Sequence, residues 1–494
     1  MERGENDCGV VASGRQSYAD SVTSYPAPGI RRPPLLLGIC AMTFVVYLDT
    51  SITPVALPDI VRDLGGGGTA AQWILDGYTL AFACLLLAGG LLGDRIGARR
   101  VLLAGTVLFT AASLLCAIAP GMGALVAARA LQGVAAAAIV PLSVAALSTH
   151  IPDPAARARA IGLWGGTAGV ALAVGPLLGG VLVTTAGWRA LFWINLPVCL
   201  LAWLCLRSAL QTGRPQTGRG MDVPGQILFV VAGCSVTLLL IEGPHRGWTS
   251  LFVLGCAVTA AVVVAVFVVW ETRTRHPLLS PDLFRIPEVT VACAVNFLGL
   301  FGLYGVLFVL TLYFQRDLGL SPLQTGLRFL PLFGTLGVAS LTAAIVARRL
   351  GTRRTMVIGL ALICAGLVGL VSVTRDVPPI GYLIALGLLG AGIPLSGGVV
   401  AIQAMADAVP TAAMGAASGA MNTFRQFGAV FGVAIAALAS PPAGDAAVTN
   451  MPSTFLLAAA GAALGGVLTA VALRPKRIQA QAETEPEPIH SETR

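Results

Sequence analysis

GDRIGARR, residues Gly93–Arg100, follows an apolar run long enough to cross a bilayer, and ARRLGTRR, residues Ala347–Arg354, follows another. Corresponding positions of the two stretches lie 254 residues apart, so that Gly97 answers Gly351 while Arg348 stands where the first copy has Asp94. An echo at this spacing implies two copies of one helical bundle. A bilayer core of about 30 Å needs about twenty helical residues. Fourteen runs of that kind can be read: 35–57, 73–92, 101–119, 123–145, 159–183, 190–209, 222–241, 250–270, 288–312, 324–346, 355–373, 380–403, 414–438 and 453–473. The repeat then pairs spans 1–6 with spans 9–14, leaving spans 7 and 8 as an insertion. Parallel halves of this kind place a cargo cavity at their interface near the midplane and work by rocking.

Composition agrees with a chain that lives in lipid. Of 494 residues, 56% are hydrophobic and 11% charged, and the mean hydropathy is +0.83. That excludes an ordinary soluble enzyme. The expected organisation is a cytoplasmic tail (1–34), a six-helix bundle (35–209), two linker helices with their loops (210–287), a second six-helix bundle (288–473) and a second tail (474–494). Residues 1–34 carry Glu2, Glu5, Asp7 and Asp20 and have no apolar core, so they do not read as a signal peptide. The ten cysteines are scattered singly, which argues against a disulfide framework or a metal site. The four histidines, His150, His245, His276 and His490, are equally dispersed.

An even span count puts both termini on one side, and the arginines say which. With cytoplasmic termini, twenty-three basic residues fall inside and six outside. The outer six are Arg62, Arg189, Arg246, Arg316, Arg328 and Arg375. By the positive-inside rule the termini are cytoplasmic. The net charge of +8 is therefore a topology signal, with no need for a nucleic acid or an acidic partner. Only Arg129 and Arg425 remain at membrane depth.

Asp49, in LDTSITPVALP (Leu48–Pro58), is a carboxylate among apolar residues. Such placement costs about 2.5–3.5 kcal/mol on insertion scales, so the group faces a water-filled cavity or a partner and usually serves a function. Helix rise puts Asp49 and Arg129 at a shared depth. A nearby arginine and burial act oppositely on a carboxyl group, so altering their separation or hydration between two conformations can load and release a proton. The competing reading is a structural ion pair. Asp76, in WILDGYTL, is a second titratable candidate, against an exposed carboxylate at a helix start favoured by the helix dipole.

These motifs make the chain resemble the major facilitator superfamily, and within it the fourteen-helix drug:proton antiporters. The resemblance covers about residues 35–473. LDTSITPVALP is similar to the family's span 1 signature, GLLGDRIGARR (Gly90–Arg100) to the loop after span 2, and RALQG (Arg129–Gly133) to the span 4 motif. GPLLGG (Gly175–Gly180) is similar to the antiporter motif of span 5, followed by WRALFWINLP (Trp188–Pro197) as the family pattern expects. Ala171 stands where that pattern often has glycine, and Ala98 replaces a usual basic residue. The resemblance implies the all-α major facilitator fold, two six-helix bundles with two linker helices. It also implies that Gly90, Asp94, Arg95, Gly97, Arg99 and Arg100 fasten the halves at a cytoplasmic gate. Gly175, Pro176, Gly179 and Gly180 would form a bent, tightly packed seam that seals the cavity against ion leak.

Span 13 contains GAMNTFRQFG, with Arg425 near the membrane middle. Asn422, Arg425 and Gln426, with Asn296 of span 9, are candidate cavity residues. A buried arginine needs a partner, and the second half offers no clear acidic one; an anionic substrate, carbonyl groups or a tie between helices all remain open. Trp73 reads as an interfacial-belt residue. There is no phosphate-cradling glycine loop with a Lys-Ser/Thr end, and no extramembrane stretch long enough for an enzyme domain. The expectation is a non-enzymatic, multi-pass protein of the plasma membrane, without cofactor or metal, working as a monomer. It would export small amphipathic or cationic drugs or antibiotics in exchange for protons. A proton symporter importing a nutrient, and a transport-inactive receptor or scaffold, are the alternatives.

Overall fold

A computed structural model describes residues 33–66, 68–210, 222–274, 277–372, 379–406, 408–410, 413–438 and 446–473. The expected tails thus lie outside the described residues except for Pro33 and Pro34, as does the side chain of Asp94. Among the described residues the chain is helical with no strand, as a lipid environment without hydrogen-bonding water requires. The elements are α1 (Pro33–Leu64), α2 (Gly68–Ile96), α3 (Ala98–Ala117), α4 (Met122–His150), α5 (Pro154–Ala186), α6 (Ala190–Trp193), α7 (Asn195–Ala209), α8 (Val223–Arg246) and α9 (Leu251–Arg273). The second half adds α10 (Pro287–Leu312), α11 (Pro322–Arg328), α12 (Leu330–Leu350), α13 (Thr352–Val371), α14 (Pro379–Ser396), α15 (Gly398–Ala406), α16 (Met414–Leu438) and α17 (Ala446–Ala472).

Local chemistry sets the helix ends. Asp153 accepts the Ala156 N–H at 2.7 Å with Pro154 at the first helical position, and Ser321 with Gln324 forms a capping box before α11. Spans 6, 10 and 12 are each broken in two, as α6/α7, α11/α12 and α14/α15. Gly97 and Gly351, the corresponding glycines of the sequence echo, both sit at positive φ, 100° and 85°. Both halves thus turn on a glycine where a side chain would strain the backbone.

Thirteen spans among the described residues are long and apolar enough to cross a membrane. The fourteenth expected one, α16, has 25 residues, ample length, but Ser418, Asn422, Thr423, Arg425 and Gln426 lower its hydropathy. Packing holds it in the bundle instead: a Cβ at Gly428 would lie 2.9 Å from Phe297 Cα, and one at Gly432 3.0 Å from Phe301 Cα. That is a close backbone approach between helices.

The internal repeat reappears in the packing. In the first half α1 packs on α5 and α7, α2 on α4, and α3 on α4 and α7. Their counterparts do the same: α10 packs on α16 and α17, α12 on α14, and α13 on α14 and α17. The halves meet along two seams, α2 with α16 and α5 with α11 and α12. Linker helix α8 lies against both α2 and α16, and α9 packs on α8. The end of the bundle bearing the paired arginine loops is termed the inner end, and the opposite one the outer end.

Candidate functional site

Asp49 lies in the third turn from the outer prolines of α1 and is fully buried. It does not face an open cavity. Arg129 of α4 donates from Nη1 to Asp49 Oδ2 as an ion pair, and from Nε to the Ile74 carbonyl at 3.1 Å. Gln132, one turn further along α4, accepts from Arg129 at 2.8 Å and donates to Asp49 Oδ1 at 3.3 Å and Ser113 Oγ at 2.8 Å. Asn195 donates to the same Asp49 oxygen at 3.2 Å and to Ser113 at 3.3 Å. The guanidinium lies 4.5 Å from the Tyr78 ring centroid. Five helices of one half thus close a hydrogen-bonded network around one ion pair, the arrangement a buried pair needs to offset its desolvation. Shared depth in the sequence pairs Asp49 with Arg129. It does not separate out Gln132, Ser113 and Asn195, although RALQG contains Gln132 and WINLP contains Asn195.

Of the two readings of Asp76, the exposed helix start is not the one the structure has. Helix α2 begins at Gly68, so Asp76 sits more than two turns in, and it is fully buried. Among the described residues neither carboxyl oxygen has a hydrogen-bond partner. Thr79 lies one turn away, but its hydroxyl hydrogen goes to the Leu75 carbonyl at 3.0 Å. Gln72, also buried on that face, has an equally unpartnered Oε1.

The span 5 glycines are wedged between two partners. A side chain at Gly175 would collide with Ser51 of α1, and a Cβ at Gly179 would stand 2.8 Å from Ile52. On the next face a Cβ at Gly180 would stand 2.7 Å from Leu323 Cα and from the Pro322 carbonyl, and Gly326 abuts the Pro176 carbonyl. Beside this seam Gln315 donates to the Val55 carbonyl at 2.8 Å, from the second half to the first. The same face of α5 loosens toward the inner end: a Cβ at Gly169 would be 3.7 Å from Ser340, one at Gly166 3.6 Å from Leu341, and one at Gly162 would meet nothing within 4 Å. The halves are therefore closed at the outer end. Above that closure a groove of about 590 Å³ is lined by Asp59, Arg62, Asp63, Trp188, Arg189 and Pro322. Asp63 there accepts from Trp188 at 2.9 Å and from Arg189 at 2.6 Å.

At the inner end Arg95 and Arg100 are exposed, and Arg99 donates to the Arg207 carbonyl at 3.4 Å. That bond stays within one half. Gly90 faces Pro141 of α4, also within the first half, and Gly97 makes the turn. Asn296 is engaged locally: its amide donates to the Ala292 carbonyl at 2.8 Å and accepts from Gly398 N–H at 3.0 Å. It holds the break between α14 and α15, where Gly398 has φ 53°. Trp73 packs against the cluster of Leu80, Cys84 and Val430 instead of serving as a free belt residue.

Arg425 and Asn422 are half-buried on one face of α16, and Gln426 is buried. Asn422 donates to the Ser418 carbonyl at 3.0 Å. Arg425 Nη2 donates to the Tyr47 hydroxyl at 3.2 Å, crossing from the second half to α1 of the first. The partner that sequence reasoning seeks among second-half acids is thus a tyrosine 378 positions away.

The family model of the Major Facilitator Superfamily matches residues 39–433 and 292–493. A Multidrug resistance protein Stp of Mycobacterium tuberculosis is 36% identical over 392 residues, 79% of this chain and 73% of that one. A Methylenomycin A resistance protein of Streptomyces coelicolor is 36% identical over 414 residues, 83% of this chain and 86% of the relative. A Tetracenomycin C resistance and export protein of Streptomyces glaucescens is 33% identical over 418 residues, 84% and 77% of the two chains.

Proposed function

We propose a proton-driven drug exporter, proceeding from the premise that this chain belongs to the Major Facilitator Superfamily. It is a multi-pass membrane transporter and not an enzyme, and its relatives named for multidrug resistance, antibiotic resistance and export support efflux of small amphipathic drugs or antibiotics. Coupling to protons, the antiport direction and placement in the plasma membrane with cytoplasmic termini are our reading. Protons, cargo and the lipid bilayer are its proposed partners, the proton gradient replaces any cofactor, and the working unit is a monomer.

The observation that carries the coupling is Asp76, a buried carboxyl group on the face of α2 whose Trp73 and Leu80 pack with Val430 of α16, with both oxygens unpartnered among the described residues. A bare carboxylate there is costly, and a proton removes the charge. Asp76 carries the proton in this conformation. Asp49 plays a different part. Held by Arg129, Gln132 and Asn195, it fixes α1 against α4 and α7, so that α1 moves with its own half. Cargo enters from the inner end; the span 5 seam and the Gln315–Val55 bond must part for it to leave outward. When the halves rock, Asp76 meets the outer aqueous phase and reloads.

Inverted membrane vesicles containing the protein provide the test. An acid interior should drive accumulation of a cargo drawn from a panel of labelled amphipathic antibiotics, and a protonophore should abolish it. Accumulation that survives full dissipation of the gradient would overturn proton coupling.

A further inference from the structure

Among the described residues two arginines lie at membrane depth, and only one of them has a counter-ion. Arg129 spends its donors on a carboxylate, an amide oxygen and a backbone carbonyl. Arg425 donates to one neutral oxygen, the Tyr47 hydroxyl, whose ring centroid lies 5.6 Å from the guanidinium carbon. Its Nε is buried and, among the described residues, has no hydrogen-bond partner. Among the described residues no carboxylate lies within ion-pair distance of it.

Position along α16 adds to this. Eleven residues separate Arg425 from Met414 and thirteen from Leu438, about 17 and 20 Å of helix rise, so the charge stands near the middle. Ser418 and Asn422, seven and three residues earlier, share its helix face and are likewise half-buried. They form a polar stripe running from the inner end toward the guanidinium. The other sides of α16 are occupied, by α10 at Gly428 and Gly432 and by Leu87 of α2 at Gly419. Nε and Nη2 share one edge of the guanidinium, the fork that grips a carboxylate through two parallel hydrogen bonds. That edge is held by a single tyrosine hydroxyl.

We propose that Arg425 is an anion-binding element of the cargo site, and that the cargo it takes is a small aromatic or aliphatic carboxylic acid in its ionised form. The carboxylate occupies the Nε/Nη2 fork and displaces the Tyr47 hydroxyl, with Asn422 offering a further amide at the rim. A half-buried cation without a counter-ion is unfavourable in a membrane interior, and an anionic ligand relieves the deficit that a cationic one would worsen. Because Tyr47 belongs to the first half and Arg425 to the second, the exchange also removes a tie between the halves. Transport of the acid rests on the export reading; its binding does not. This narrows the sequence expectation, which includes cationic drugs.

Three probes of matched shape test it on the purified full-length protein in detergent: 2-naphthoate, 2-naphthamide and 2-naphthylmethylammonium, with binding followed by calorimetry. The acid should bind at least about tenfold more tightly than the amide, a difference of about 1.4 kcal/mol, and the cation should bind most weakly. Arg425→Gln should abolish the acid's advantage, Arg425→Lys should retain part of it, and Tyr47→Phe should keep it whole. Equal affinities in the unaltered protein, preference for the cation, or absence of saturable acid binding would overturn the proposal, as would an Arg425→Gln protein that still prefers the acid. No ion gradient enters these measurements, so failure of proton-coupled export would leave this result standing, and the reverse.

Discussion

Arg129 and Arg425 occupy similar depths in opposite halves, and their surroundings could hardly differ more. Arg129 is buried in a network that Asp49, Gln132, Asn195 and Ser113 close on every side, whereas Arg425 is half-buried with one neutral partner across the interface. A charge whose donors are satisfied inside one half acts as a fastener of that half. One left short of partners at the junction is available to something that arrives. The same contrast separates the two acidic groups: Asp49 accepts from three side chains, and Asp76 from none among the described residues.

The comparison breaks most visibly at Arg129. Arg129→Leu leaves a buried, uncompensated Asp49, and we expect a loss of about 3–5 kcal/mol of stability, read as a fall in thermal unfolding temperature in detergent. Joining it with Asp49→Leu should recover much of that loss, because the pair and its desolvation cost leave together. If the double variant were as unstable as the single one, the network would not be organised around the ion pair. Asn195→Ala removes a donor to a charged oxygen and should cost about 1.5–3 kcal/mol, with cargo binding retained.

A packing change of similar or smaller size should behave in the opposite sense functionally. Gly175→Val forces a side chain against Ser51 at the outer seam; overpacking of this kind costs about 1–3 kcal/mol. Transport should fall much further than stability does, and a variant with full efflux would show that the seam need not close. The smallest expected stability change is at Arg425→Gln, about 1 kcal/mol or less for a single hydrogen bond. A large destabilisation there would make Arg425 a second fastener and erase the contrast.

Much of the architecture is legible in the chain because lipid demands long apolar helices and the arginine loops repeat. The run 414–438 coincides with α16 (Met414–Leu438), and the 254-residue echo between Gly97 and Gly351 returns as two glycines with the same backbone hand. The charged residues of the site stand out for the same reason, since charge is rare at membrane depth. Their neutral partners do not. Gln132 and Asn195 resemble any polar residue in a helix until α4 and α7 bring them to Asp49, 83 and 146 positions away in the chain. Tyr47 is hidden as the partner of Arg425 because aromatic residues abound in membrane helices for other reasons. Asn296 looks like a cavity residue in the sequence and holds a helix break in the structure, a role set by the backbone of a distant segment. Asp76 stays open between two readings because the apolar run starts later than the helix does, which makes an exposed helix start as good a reading as a buried group.

Whether Asp76 carries the coupling proton while Asp49 holds α1 in place can be read in proteoliposomes. With a transported cargo in hand, proton movement would be followed by an enclosed pH dye for the unaltered protein, Asp76→Asn and Asp49→Asn. Protons should move opposite to cargo in the unaltered protein, and Asp76→Asn should show downhill cargo exchange without proton movement. Cargo-linked proton movement that persists undiminished in Asp76→Asn would contradict that role for Asp76.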